Sequence, residues 1–216
     1  MPDTIPAIIS FYAVAERLKI EMRHSWLSNG RQESVAEHSW MMALLCILLH
    51  DKLDRPVDSF KVLKMTIVHD LVEAIAGDIP YFEESDRKRN KAAAETAAMS
   101  QIRSMLPAEV GAHIEALWLE FEERGTDEAK FAAALDNLDV QMQHNLASLS
   151  TWLPREHDLV YEKVVQPCAY DTYLKSFAEG VVVAAEGKMA EGGIDVAALR
   201  DKHGFSGAGP HAIVSM

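Results

Sequence analysis

Residues 67–80 read IVHDLVEAIAGDIP, and the adjacent His69 and Asp70 inside this apolar run decide how the chain is to be understood. Ile67, Val68, Leu71, Val72, Ala74 and Ile75 cover nearly every side of a helix, so the spacing predicts a central helix rather than a peripheral one. At about 100° per residue Asp70 points beside His69, and Glu73, four positions on, returns to the histidine's face. Gly77 predicts the helix end, and Asp78 with Pro80 predicts a turn that brings another carboxylate near. Burying an ionised carboxylate is costly unless it is paired, and a divalent cation shared by these side chains resolves that cost. A bare His-Asp dipeptide is more often a solvated surface pair, but the apolar flanks argue against that here.

Upstream, Ser34 and Glu37 form a capping box, which predicts a helix from there to about Leu53 with His38 in its first full turn. The positive end of the helix dipole penalises an imidazolium at that place and predicts a neutral His38, the form that binds metal. Downstream, Thr126 opens a long helix to about Leu153. In it Phe131, Leu135, Leu138, Met142, Leu146 and Leu149 recur at steps of three and four, the stripe of a helix packed along another. Asp136, on the edge of that stripe, is the acid best placed to turn inward, whereas Asn137 and Asp139 read as exposed polar residues.

Asp58 or Ser59 caps the helix that carries the His-Asp pair, and two further helices are expected over 85–106 and 107–124, the second closed by Gly125. At the start, Asp3 or Thr4 caps a helix whose Ile8, Phe11, Tyr12, Ala15 and Leu18 form a core face. Residues 21–33 lose periodicity and mix Arg23, His24, Trp26, Asn29, Gly30 and Arg31, which predicts a loop with a binding role. No strand-like alternation is convincing, so the expected class is all-α. The expected organisation is a single domain over 1–216: a core of about 11–153, further helices over about 155–190, and a loose tail over 191–216.

A chain of 216 residues buries roughly 70% of its unfolded surface without staples. Cys46 and Cys168 form no disulfide or metal spacing, which suits a reducing cytosol. The longest apolar run is about half of the ~20 residues that a membrane span needs, and no signal segment precedes it, so a cytoplasmic protein without a membrane partner is expected. The net charge of −12 disfavours any wide grip on nucleic acid and leaves room for a small anion in a local positive pocket.

His38, His69, Asp70 and Asp136 together offer one ion two nitrogens and two or more oxygens. That set suits Mn, Co, Fe, Ni, Zn or Mg and contains no thiolate. The pattern, carried by SVAEHS around His38, HDLVEAIAGDIP from His69 and ALDNL around Asp136, resembles the HD-domain metal-dependent phosphohydrolase superfamily, most closely its 5'-deoxynucleotidase-like branch, over about residues 11–153. The resemblance implies a helical bundle with one metal in its core, held by those two histidines and two aspartates. It implies hydrolysis of (deoxy)ribonucleoside 5'-monophosphates by a metal-bound water, with Glu73 handling protons and Asp78 at the sugar. The family's deoxynucleotidases place an adjacent Arg-Trp pair before the first metal histidine, whereas here Arg23 is followed by His24 and the tryptophan comes at Trp26. Arg23 is therefore the expected catalytic, phosphate-binding arginine and Trp26 a wall for sugar or base, with Arg31 as a second candidate beside the start of the Ser34 helix.

Other members of the superfamily fit less well. Guanosine tetraphosphate hydrolases resemble HDxxED, and Ala74 stands where the second acid belongs; the HD-GYP phosphodiesterases want a Gly-Tyr-Pro element that the sequence lacks. Two-metal oxygenases use extra histidines where only His113 is available. A non-catalytic, metal-stabilised dimer is the alternative outside enzymes, and Glu73 and Asp78, neither needed to hold a metal, favour catalysis. The leucine-rich long helix and the helices after Pro154 also predict a homodimer.

Overall fold

A computed structural model describes residues 4–206. The chain begins with α1 (Thr4–Ala15) and a hairpin of β1 (Met22–Trp26) and β2 (Gln32–Ser34). The bundle follows as α2 (Val35–Leu49), α3 (Ser59–Val68), α4 (Glu73–Ala76), α5 (Asp86–Arg89), α6 (Lys91–Met105), α7 (Ala108–Glu123) and α8 (Asp127–Leu146). α9 (Pro154–Lys163), α10 (Thr172–Glu191) and α11 (Val196–His203) complete it. The class is all-α, as expected. α8 is the axis, with α2, α3, α7 and α10 packed around it and its Phe131, Leu135 and Leu138 fully buried. No helix among the described residues is long and apolar enough to cross a membrane.

Local chemistry sets the helix starts as the sequence indicates. The Ser34 hydroxyl accepts from the Glu37 N–H while the Glu37 carboxylate accepts from the Ser34 N–H, and the Asp58 and Thr126 side chains cap α3 and α8 by accepting from the Lys61 and Ala129 N–H groups.

Elsewhere the fold departs from the expected pattern. The His-Asp pair does not lie inside one helix running to Gly77. α3 stops at Val68, and the next residues bond three positions back rather than four, Leu71 N–H to Val68 C=O and Glu73 N–H to Asp70 C=O, both at 3.0 Å. This tighter turn rotates successive side chains by more than an α-helix does, so Asp70 swings away from the helix barrel. Gly77 closes α4 with φ +78°, a conformation open to glycine, and this lets the Asp78 N–H reach Glu21 Oε1 at 2.9 Å. Residues 21–33 form the hairpin rather than a loop. Its alternation is invisible because Met22 pairs with Ser34 and Trp26 with Gln32, leaving three residues of β1 opposite Glu33 alone.

The face of α1 is divided. Phe11, Ala15 and Leu18 pack on the core, but Ile8 and Tyr12 are 47% and 67% exposed. α7 ends on Arg124 in the left-handed region rather than on Gly125. α11 continues the bundle beyond the expected start of a loose tail and packs on α9, while Asp3 and residues 207–216 lie outside the described residues.

α6 and α7 meet at Gly111, where an added Cβ would lie 2.5 Å from the Arg103 carbonyl oxygen. Backbone cannot yield there without separating the two helices. Gly111→Ala should therefore lower the urea midpoint, because overpacking costs about 1–3 kcal/mol and exceeds the gain of up to about 1 kcal/mol that alanine makes over glycine in a helix. An unchanged or raised midpoint would mean that the two helices part freely.

Candidate metal centre

The capping box starts α2 so that His38 comes one residue after Glu37 and points into the core, fully buried. His69 follows the last residue of α3, and Asp136 comes from the middle of α8. One ligand atom each from His38, His69 and Asp136 lie within 4.8 Å of one another. Asp70 borders this group, with Oδ2 at 3.0 Å from His69 Nε2 and 3.9 Å from His38 Nε2.

The tautomers are set from behind. His38 Nδ1–H donates to Asp139 Oδ2 at 2.7 Å and His69 Nδ1–H to the Thr66 carbonyl at 3.0 Å, so both Nε2 atoms face the cluster. Both Nε2 atoms are buried and neither makes a hydrogen bond of proper geometry, although Asp136 Oδ1 is 3.2 Å from His38 Nε2. Nitrogen and carboxylate oxygen that converge in this way without bonding each other fit a divalent cation between them.

The neutral His38 expected from the helix dipole is not what the metal-free electrostatics give. Burial and the Arg23 charge oppose the imidazolium, but the Asp136 and Asp139 carboxylates outweigh them and raise its pKa to about 9. A bound cation has to displace that proton, which couples metal uptake to proton release. Burial also opposes charge on Asp70 and Asp136. His69 and Arg23 beside the first, and His38 beside the second, nevertheless hold both carboxyls below the usual range.

A cavity of about 250 Å³ opens beside the cluster. Arg23, Asp70, Glu73, Asp78, Lys91 and Asp136 are among the residues that line it. Arg23 Nη1 donates to Asp70 Oδ2 at 3.1 Å, and its Nε lies 3.7 Å from Glu33 Oε2, a carboxylate only 1% exposed. Glu73, the first residue of α4, is buried with Oε2 unpaired and Oε1 at 3.9 Å from Lys91 Nζ. Burial and the charges of Asp70 and Asp78 push its carboxyl up to about 9, and burial raises that of Asp78 as well.

Trp26 and Arg31 are not brought to this cavity. The bulge in β1 turns Arg23, His24 and Ser25 toward it and returns Trp26 to its pairing with Gln32. Arg31 lies at the exposed hairpin end, paired with Glu37 at 2.6 Å.

Asp139 and Glu33 escaped the sequence reading. Asp139 stands three residues after Asp136 and so on the same helix face, a spacing that could have found it. Nothing local marks Glu33.

The model of the HD domain family matches residues 15–168. A 5'-deoxynucleotidase HDDC2 of Dictyostelium discoideum is 32% identical, the match spanning 62% of this chain and 74% of that one. A 5'-deoxynucleotidase hdd1 of Schizosaccharomyces pombe is 30% identical, spanning 63% and 70%. The crystal structure of a predicted metal-dependent phosphohydrolase from Magnetospirillum magnetotacticum superposes with a TM-score of 0.74 at 29% identity, over 89% of this chain and 96% of that one. With its ligand atoms gathered in the core and these likenesses along its length, the chain belongs to the HD-domain family of metal-dependent phosphohydrolases, in its 5'-deoxynucleotidase-like branch.

Proposed function

We propose that this enzyme releases phosphate from (deoxy)ribonucleoside 5'-monophosphates, with His38, His69, Asp70 and Asp136 as the ligands of one divalent ion. The convergence of buried, unbonded ligand atoms beside a cavity that Arg23 and Glu73 line carries the proposal. Relatives named 5'-deoxynucleotidases support the substrate class.

A divalent ion held there supplies Lewis-acid charge to phosphoryl oxygens and acidifies water. The chain's own groups do the rest. Arg23, already charged and aimed inward, takes two non-bridging phosphate oxygens in its planar fork. Glu73 Oε2 accepts the proton of the attacking water as the new P–O bond forms, then returns it to the departing 5'-oxygen. Its raised proton affinity favours the return of the proton to the leaving oxygen, while the nearby charges of Arg23 and Lys91 favour the ionised form that accepts it. Lys91 offsets the charge that develops nearby, and Asp78 accepts from a sugar hydroxyl. A purely structural metal site gives no reason for a buried Glu73 with an unpaired oxygen.

The described residues share one apolar cluster from Leu18 to Met189, which supports a single domain. A homodimer follows from a different surface than the sequence suggested, since the α8 stripe is mostly core. Trp40, Leu44, Ile47 and Leu48 form an exposed stripe on α2, Phe60 and Ile67 extend it on α3, and no charged residue interrupts α2 after His38. So large an apolar face favours a second copy. Cys46 and Cys168, both buried thiols, support a cytoplasmic setting.

The reaction is tested by a screen of phosphomonoesters against several divalent ions. Glu73→Gln should keep its metal and lose about 10²- to 10⁴-fold in kcat; turnover near the wild-type value would remove Glu73 from proton transfer. Asp139→Asn should weaken metal affinity by about 10- to 100-fold, because the amide no longer holds the His38 tautomer; an unchanged affinity in a chelator titration would make that contact incidental. For the dimer, light scattering should give twice the chain mass for the wild type and a single chain mass for Trp40→Glu. A monomeric wild type at high micromolar concentration would end the idea.

A further inference from the structure

The cavity has a second end that the hydrolytic machinery does not use. Asp136, Val140 and His144 follow one another at steps of four along α8, so His144 stands about 12 Å along the axis from the metal ligand. That is about the span from phosphate to base in a nucleoside monophosphate. His144 Nδ1 donates to the Val140 carbonyl at 2.8 Å, and its Nε2 lies 3.1 Å from Glu156 Oε1. The other oxygen of Glu156 accepts from the Leu153 N–H at 2.6 Å. Burial opposes charge on Glu156, but these partners outweigh it and hold its carboxyl below the usual range.

His24 completes this end. Its ring is wedged edge to face between Trp26 at 4.7 Å and Phe82 at 4.9 Å, so it has little freedom to turn. Its Nε2 is buried, has no hydrogen bond, and lies 3.5 Å from Glu156 Oε1. The nearby carboxylate favours the tautomer with the proton on Nε2. A donor and an acceptor thus stand side by side in the cavity lining, with Phe82 and Leu159 as apolar walls.

We propose that His24 and Glu156, backed by His144, form a nucleobase subsite that reads a carbonyl oxygen next to a ring N–H. Thymine, uracil and guanine carry that lactam edge; adenine and cytosine present an amino group beside an unprotonated nitrogen and leave both protein groups unmatched. The inference rests on the proposed nucleotide substrate and adds its base preference.

The test uses nucleosides, which lack the phosphate and so probe this end by itself. Dissociation constants of deoxyguanosine and thymidine, against deoxyadenosine and deoxycytidine, are measured by calorimetry on the full-length, metal-loaded protein. The lactam nucleosides should bind about tenfold tighter, the worth of one well-made hydrogen bond. His24→Phe, which keeps the ring contacts and removes the donor, should bring the two classes within about twofold of each other. His24→Gln, which keeps an N–H donor, should retain most of the preference. Equal affinities in the wild type, a preference that survives His24→Phe, or its loss in both variants would each overturn the assignment. Phosphate release from the four deoxynucleoside monophosphates separates the two claims. Hydrolysis without nucleoside preference defeats only the base subsite, and preference without hydrolysis defeats only the phosphatase.

Discussion

The Nδ1 atoms of His38 and His69 are committed to Asp139 and to the Thr66 carbonyl, which leaves two buried Nε2 atoms that no protein group satisfies. An unmet buried polar atom is expensive. Carboxylates brought in to help are themselves costly to bury, so the set is tolerable only as the shell of a cation. Much of the fold follows from gathering that shell. The cap of α2 fixes the depth of His38, the tightened turn after α3 frees Asp70 from the helix barrel, and α8 passes between them to deliver Asp136 and Asp139 together.

The same constraint orders the charges outward from the cluster. Arg23 is shared by Asp70 and the buried Glu33, so its guanidinium is held in place before any phosphate arrives. Glu73 lies between acids that raise its proton affinity and two cations, Arg23 and Lys91, that lower it. Arg23, Lys88 and Lys91 thus bring the cations to a cavity that five carboxylates also line, so in a chain with a net charge of −12 a small anion needs the charge of a bound metal beside theirs.

Much of this was legible in the residues alone, for physical reasons. Caps are local chemistry, and Ser34, Asp58 and Thr126 each act within three residues of themselves. The adjacent histidine and aspartate stood out because apolar flanks make charge conspicuous. What escaped notice depends on partners distant in sequence. Nothing in residues 69–73 marks the change from four-residue to three-residue bonding, since the same side chains suit both. The hairpin hid because a bulge cancels alternation. Glu33 reads as an ordinary surface acid until Arg23 is set across from it, and the exposed half of α1 reads as core because a helix face does not disclose whether it is covered.

The bulge in β1 separates two properties that a regular strand would tie together. Its ends are pinned by pairing at Met22 and Trp26, whereas the residues between them face the cavity without a partner residue each. Adding or removing residues there changes which side chains meet the ligand but leaves the metal shell, held by α2, α3 and α8, untouched. His24 and Ser25 are the two residues that part Arg23 from Trp26. Selectivity in this architecture can thus diverge by insertion and deletion at one hairpin, a route on which intermediates keep their metal shell at every step.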